Sequence, residues 1–138
     1  MTATHKNKAI TTLLAFALGG FGLHRFYLSG MQDRWGWLHL ATVPLTLAIV
    51  SGGPGWPAIF AAAPFILSVL AGFLEALVLG LTPDEKWDAQ HNPHSGRQSD
   101  SGWQLALLLV LTLGTGATAL IAALARTFDI LFTGGAYG

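Results

Sequence analysis

Four apolar segments, separated by polar or Gly/Pro-rich stretches, dominate the pattern of this chain. The first runs from residue 9 to about 23, and it reaches the ~20 residues of a perpendicular membrane span only by continuing to residue 28. The others cover residues 35–50, 58–81 and 103–125. Apolar runs of this length with scarcely any polar face are typical of membrane-crossing helices. The pattern therefore predicts an all-α fold, an integral membrane four-helix bundle with short loops.

The stretches between these segments are predicted to be turns and loops. Residues 51–57 contain three Gly and two Pro, and they form a tight turn because Pro cannot continue a helix. Residues 82–102 form a polar loop, and residues 127–138 form a tail that either lies in the membrane interface or frays. The first segment resembles a signal peptide, but its apolar run before an Ala-Phe-Ala sequence is too short for one. We expect it to be retained as the first helix.

Composition narrows the class of protein. The 138 residues are 52% hydrophobic and only 10% charged, whereas soluble domains are typically about 25% charged. Seven Lys+Arg balance seven Asp+Glu, so the chain lacks the basic surface that binds nucleic acid. Cys is absent, which excludes a disulfide framework and a thiol nucleophile. We find no catalytic triad, P-loop or dinucleotide motif, and we expect no enzymatic activity and no cofactor.

Four spans would place both termini on one membrane face, with the loops at residues 24–34 and 82–102 together on the other. Lys6, Lys8 and Arg126 on the terminal face favour the cytoplasm. The opposite face would hold four basic residues, so the positive-inside count does not decide the orientation. We expect a bacterial inner membrane protein with cytoplasmic termini.

A motif of small, basic and aromatic residues closes the first segment. Three glycines let another backbone approach closely, and the aromatic pair suits a membrane interface. The basic residues lie where the helix leaves the hydrocarbon, so the motif is also consistent with a simple interfacial anchor. Its members are Gly19, Gly20, Gly22, His24, Arg25, Phe26 and Tyr27.

This motif, Leu18-Gly-Gly-Phe-Gly-Leu-His-Arg-Phe-Tyr-Leu-Ser-Gly30, resembles the signature of the two-transmembrane (TM2) domain family of small membrane proteins. The likeness extends over roughly residues 6–92, with an upstream Lys and a late acidic residue, Glu75. It divides the chain into a two-transmembrane-like region, residues 1–92, with three apolar segments, and an additional helix and tail, residues 93–138. Ser29 and Gly72 depart from the family pattern. The resemblance implies architecture rather than activity.

Arg25 and Glu75 are predicted to pair. If the first and third segments run in the same direction, both residues lie towards the same face, where an unpaired charge costs about 2.5–3.5 kcal/mol at the membrane centre. We expect the guanidinium to reach the carboxylate directly or through one bridging residue, and His24 to turn towards the headgroups. The alternative is that Glu75 is a proton relay or cation ligand in a cavity.

The remaining histidines are weak ligand candidates. His91 and His94 flank Asn92-Pro93 near acidic residues, which makes them candidates for a surface metal site, although a solvated loop fits the same residues. His39 is expected to share hydrogen bonds with Thr42 and Thr46.

Two ladders of small residues recur at four-residue steps. Such ladders permit close helix packing, either within the chain or against another subunit. The ladders are Gly72, Ala76 and Gly80 in the third segment, and Gly114, Thr118 and Ala122 in the fourth.

These features predict an accessory, assembly or scaffold component of a membrane complex. Its partners would be the lipid bilayer and other membrane subunits or copies of itself. The alternative is a small oligomeric channel or transporter with an intramembrane site formed by Glu75, His24 and Arg25.

Overall fold

The computed structural model describes residues 4–53 and 55–138, and the described chain is built of α-helices joined by short turns. Two short 3₁₀ turns, Gly19–Phe21 and Gly30–Gln32, interrupt the N-terminal half. The helices are α1 (Lys8–Leu18), α2 (Leu23–Ser29), α3 (Arg34–Gly52), α4 (Ala58–Ala61), α5 (Ala63–Leu81), α6 (Asp84–His91) and α7 (Trp103–Thr133).

Three helices, α3, α5 and α7, are long and apolar enough to cross a membrane. The all-α membrane fold is therefore as predicted, and these helices correspond to the second, third and fourth apolar segments. The first segment forms only a shorter apolar helix, Lys8–Phe21. The prediction of a fourth full span is wrong, because Gly22 adopts a left-handed conformation (φ +74°) that ends this helix.

The chain reverses direction at Gly22. In one straight helix, residues 7 and 27 would lie about 30 Å apart at 1.5 Å per residue. Instead, the backbone N–H of Asn7 donates to the Tyr27 hydroxyl at 3.0 Å, and Lys6 Nζ donates to the Tyr27 carbonyl at 2.8 Å. Helices α1 and α2 therefore form a hairpin, which we call the N-terminal hairpin, and both of its ends lie at the same end of the bundle.

Helix α1 runs antiparallel to α5, not in the same direction as we predicted from the spans. Lys8, at the start of α1, forms an ion pair with Asp84, just beyond the end of α5. At the other end of the helix, a Cβ added to Gly19 would lie 2.7 Å from the Cα of Gly72. The prediction assumed that every apolar segment crosses, and the hairpin removes one crossing.

The N-terminal residues and the 82–102 segment therefore lie at the same end of the bundle, which we call the α6 end. Asn92 accepts from the backbone N–H of Lys6, and Trp87 Nε1 donates to the Lys6 carbonyl at 3.0 Å. His5 Nδ1 lies 3.0 Å from Ser95 Oγ. The prediction that these two segments occupy opposite faces is wrong.

Helix α7 is antiparallel to α5 and carries the chain away from the α6 end. A Cβ on Gly80 would meet Leu109, and a Cβ on Gly116 would meet Phe73. Because α7 begins at the α6 end and crosses once, the C-terminal residues lie at the opposite end from His5. The described N-terminal and C-terminal residues thus lie at opposite ends of the bundle, whereas we expected both termini on one face.

Local signals explain where the helices begin. The Asn7 side chain accepts from Ile10 N and caps α1, and Asp33 accepts from Gly36 N and caps α3. Pro64 stands in the first turn of α5, where the missing N–H costs little. The predicted polar loop contains a helix of its own, α6, whose first turn holds Asp84 and Glu85, as the helix dipole favours.

Candidate functional site

A cluster of polar side chains surrounds Glu75 in the interior of the bundle. The Glu75 carboxylate contacts three basic side chains, each from a helix other than its own. Its Oε2 lies 2.7 Å from Arg25 Nη1 and 3.0 Å from His24 Nε2, and its Oε1 lies 2.8 Å from His39 Nε2. Two further members, Asp33 and Ser68, bind the basic residues, and we call the six residues the Glu75 cluster.

Arg25 joins two carboxylates. Its Nη1 reaches Glu75, and its Nε donates to Asp33 Oδ1 at 3.2 Å. Asp33 also accepts from Gly36 N at 2.9 Å, so the same carboxylate caps α3 and holds the guanidinium. The planar guanidinium suits this role because its donors point in fixed directions towards separate acceptors.

His39 is held by a chain of hydrogen bonds that reaches the turn of the N-terminal hairpin. Its Nδ1 lies 2.7 Å from Ser68 Oγ, and that hydroxyl donates to the Gly20 carbonyl at 2.8 Å. His39 and Ser68 are both buried. The chain fixes the orientation of the His39 ring and leaves its Nε2 directed at Glu75.

His24 is fully buried, with 0% of its surface exposed. Its Nε2 contacts Glu75, while its Nδ1 has no hydrogen-bond partner among the described residues. The imidazole rings of His24 and His39 meet edge to face, with centroids 5.7 Å apart. The two rings therefore approach the same carboxylate from different helices.

His24, His39 and Glu75 present donor atoms that could bind a metal ion. One atom from each lies within 4.8 Å of the others. A cavity of about 430 Å³ opens beside Glu75 and His39, and its wall includes Trp35, Leu38 and Thr42. The arrangement can therefore hold a proton or a cation between its donors, next to space for a small ligand.

The predicted contact between Arg25 and Glu75 is present, although the topological argument for it was wrong. Arg25 reaches Glu75 because α2 folds back towards α5, not because two spans run in parallel. His24 points into the bundle, whereas we expected it to turn towards the headgroups. His39 was missed as a partner: Thr42 bonds only to the His39 carbonyl, whereas the ring binds Ser68 and Glu75. The sequence distances from His39 to Ser68 and to Glu75 match no recognisable motif, so no signal in the sequence indicates these contacts.

The aromatic members of the motif pack at the hairpin. Phe26 meets Trp37 edge to face, with ring centroids 5.3 Å apart, and a Cβ on Gly36 would collide with the Phe26 ring. The ammonium group of Lys6 lies 4.9 Å from the centre of the Tyr27 ring. Both rings thus secure α2 between α1 and α3.

The loop histidines lie apart from the Glu75 cluster. His91 packs its ring on Trp87, with centroids 4.3 Å apart, and His94 is exposed. Burial beside Trp87 lowers the pKa of His91. The acidic neighbours that suggested a metal site are occupied elsewhere: Asp88 binds Ser99 and Asp84 binds Lys8.

The two small-residue ladders have different surroundings. Gly72, Ala76 and Gly80 are buried, and the first and last of them contact α1. Gly114, Thr118 and Ala122 are exposed on the described chain, and a Cβ on Gly114 would meet no atom within 4 Å. The second ladder is therefore exposed on the described chain, and packing against another subunit, the other alternative, stays a prediction.

Comparison with known protein families finds a similarity in the N-terminal part of the chain. Residues 4–60 match the family model of the TM2 domain, a range that includes the motif from Gly19 to Tyr27 and ends before Glu75. Curated proteins and solved structures contain no match to the chain. This chain is therefore a small membrane protein, and its residues 4–60 are similar to the TM2 domain.

Proposed function

We propose that this protein is a non-enzymatic scaffold component of a membrane assembly, and that it associates with a second copy of itself through α7. The observation that carries the proposal is the position of Gly114. A glycine within a helix costs up to about 1 kcal/mol relative to Ala, and no neighbour within the described chain requires one there. A second helix packed against this position would supply the reason.

The face that holds Gly114 points away from the bundle. Thr112 is buried against the other helices. Gly114 lies two residues later, and therefore roughly half a turn around the helix axis, on the opposite side of α7. Thr118 and Ala122 continue the face at four-residue steps, and larger apolar side chains, Val110 and Ile121, flank it. A surface of this kind is complementary to its own copy across a two-fold axis.

The Glu75 cluster supports a structural role within the scaffold. Its carboxylates and guanidinium bind one another, and they join α2, α3 and α5. Arg25 and Glu75 are only about one quarter exposed, so their mutual attraction is weakly screened. This contact network would lock the N-terminal hairpin against the spans and hold α7 on a rigid support.

The charge distribution favours an orientation with the α6 end in the cytoplasm. Six of the seven Lys and Arg residues lie at that end or on helices that begin or end there: Lys6, Lys8, Arg25, Arg34, Lys86 and Arg97. Only Arg126 lies towards the other end. By the positive-inside rule, this bias supports the proposal that the N-terminus lies in the cytoplasm, at a bacterial inner membrane, and the C-terminus outside.

Mass measurement of the complete protein in mild detergent tests the scaffold proposal. The wild type should have the mass of a dimer, and Gly114→Leu should shift it towards the monomer by forcing the α7 helices apart. Ala106→Leu is the matched control, because it enlarges another exposed small residue of α7 outside the ladder, and it should remain dimeric. A monomeric wild type, or equal effects of both variants, would contradict the proposal.

A small channel or transporter is the second candidate function, and the cavity beside Glu75 is the observation that favours it. Thr42, Ser68 and Glu75 line this cavity together with apolar residues, as an intramembrane cation site would require. Ion flux into vesicles that contain the purified protein distinguishes the two functions. Flux that Glu75→Gln abolishes, at unchanged protein content and fold, would replace the scaffold proposal with transport.

A further inference from the structure

The hydrogen bonds of His39 require a positive species between its ring and Glu75. Ser68 has a single hydroxyl proton, and it donates this proton to the Gly20 carbonyl, which can only accept. His39 Nδ1 must therefore carry a proton and donate it to Ser68 Oγ. A neutral His39 then directs the lone pair of Nε2 at Glu75 Oε1, 2.8 Å away. Two acceptors at that distance need a proton or a metal ion between them.

We propose that His24, His39 and Glu75 bind a divalent transition-metal ion of the zinc class. The ligands converge from three helices, α2, α3 and α5, so the ion would join the N-terminal hairpin to two membrane spans. This role goes beyond the scaffold proposal, because it concerns the interior of each copy and is independent of α7.

The spacing of the donor atoms suits one small ion. Tetrahedral zinc with ligand distances of about 2.0–2.2 Å separates its ligand atoms by roughly 3.3–3.5 Å. Glu75 Oε2 lies 3.0 Å from His24 Nε2, Glu75 Oε1 lies 2.8 Å from His39 Nε2, and one donor atom from each residue lies within 4.8 Å of the others. Side-chain rotations that bring these separations towards the zinc values would admit the ion.

The charges around the cluster leave a place for a cation. The charged and titratable groups that meet there are Arg25 and His24 from α2, Asp33 at the start of α3, His39 from α3 and Glu75 from α5. With both histidines neutral, Arg25 balances only one of the two carboxylates. The remaining negative charge lies in the bundle interior, where a charge without a counterion is costly.

Two imidazoles and one carboxylate are a donor set that zinc and its neighbours prefer, whereas magnesium and calcium prefer oxygen alone. The hydrogen bond from His39 Nδ1 to Ser68 is the outer-shell contact that usually orients a metal-binding imidazole. The cavity beside Glu75 and His39 gives room for a water molecule as fourth ligand. The site therefore matches zinc sites with three protein ligands.

Titration of the chelator-treated, full-length protein with Co²⁺ tests the site, because tetrahedral cobalt absorbs visible light and Zn²⁺ should displace it. We expect one Co²⁺ per chain. His39→Gln and Glu75→Gln should each abolish the absorption, and circular dichroism would verify that they fold. Ser68→Ala keeps all three ligands and should weaken binding about 10–100-fold by freeing the His39 ring.

The double variant His91→Gln/His94→Gln is the control, because it removes the loop histidines and leaves the cluster intact. It should bind Co²⁺ like the wild type. Absence of binding in the folded wild type would overturn the proposal and show that a proton alone bridges His39 and Glu75. Loss of binding only in the loop variant would also overturn it. Neither result depends on dimerisation, so the scaffold proposal is tested separately.

Discussion

Gly19 and Gly72 meet backbone to backbone, where the end of α1 crosses α5. A Cβ on Gly19 would lie 2.7 Å from the Gly72 Cα, and a Cβ on Gly72 would lie 2.8 Å from the Gly19 Cα. Neither position has room for a methyl group, because the obstacle on each side is main chain. This close approach brings the turn at Gly22 deep enough for α2 to fold back beside Glu75.

Substitution of Gly72 by Ala should destabilise the bundle by about 1–3 kcal/mol, since a methyl group forced into a packed contact separates the helices. Detergent-denaturation curves followed by circular dichroism would measure the change. Gly52→Ala is the control, because Gly52 is helical, and a Cβ there would meet nothing within 4 Å. Equal stabilities of the two variants would refute the packing explanation.

Arg25 and Glu75 should show strong coupling in a double-mutant cycle. Arg25→Met leaves Glu75 with two histidine partners, so we expect a loss of about 1.5–3 kcal/mol. Glu75→Gln removes the charge shared by three basic side chains and should cost about 3–5 kcal/mol. The double variant should lose less than the sum, because neighbours in one network are not additive. Additive losses in the same denaturation assay would exclude a direct interaction.

Membrane topology can be tested with single cysteines on this cysteine-free background. Thr4→Cys and Gln90→Cys should react with an impermeant reagent from the same side, because the N-terminal segment contacts the 82–102 segment. Trp56→Cys and Tyr137→Cys should react only from the other side, and both residues are exposed. Labelling of positions 4 and 90 from opposite sides would contradict this topology and support four full spans.

Acid should weaken the contact between Lys8 and Asp84. The hydrogen bond from Lys8, with those from Ser101, lowers the pKa of Asp84 from its usual 3.8 to about 2. A carboxylate with a lowered pKa stabilises the fold above the ordinary value, and this contribution disappears as the pH falls from about 4 through about 2. After allowance for solvent screening, the contribution is about 1–2 kcal/mol.

Asp84→Asn should therefore remove that part of the acid sensitivity, and Lys8→Met should remove most of it. Unfolding free energies at pH 6 and pH 2.5 would measure the difference from the wild type. If Asp84→Asn loses as much stability on acidification as the wild type, Lys8 and Asp84 do not form the contact in the membrane protein.

The apolar pattern by itself determined the class of fold. Long, predominantly apolar runs favour helices in a bilayer, because each helix satisfies its own backbone hydrogen bonds where water is absent. Residues 35–50, 58–81 and 103–125 accordingly correspond to α3, α5 and α7, although α5 begins only at Ala63 and α7 continues through the first part of the predicted tail to Thr133. The motif from Gly19 to Tyr27 was equally visible, because glycines beside a basic pair are rare in an apolar run.

Tertiary structure alone decided what the first segment does. The sequence shows that Gly22 can adopt a left-handed conformation, but not that it does so, because glycine is also compatible with a continuous helix. Because the chain turns at Gly22, three candidate spans remain, the two termini lie at opposite ends of the bundle, and most basic residues lie at one end.

The Glu75 cluster depends on the same turn at Gly22. His24, His39 and the α5 residues Ser68 and Glu75 come from three separate helices, and only the packing of α2, α3 and α5 brings their polar atoms within hydrogen-bond distance.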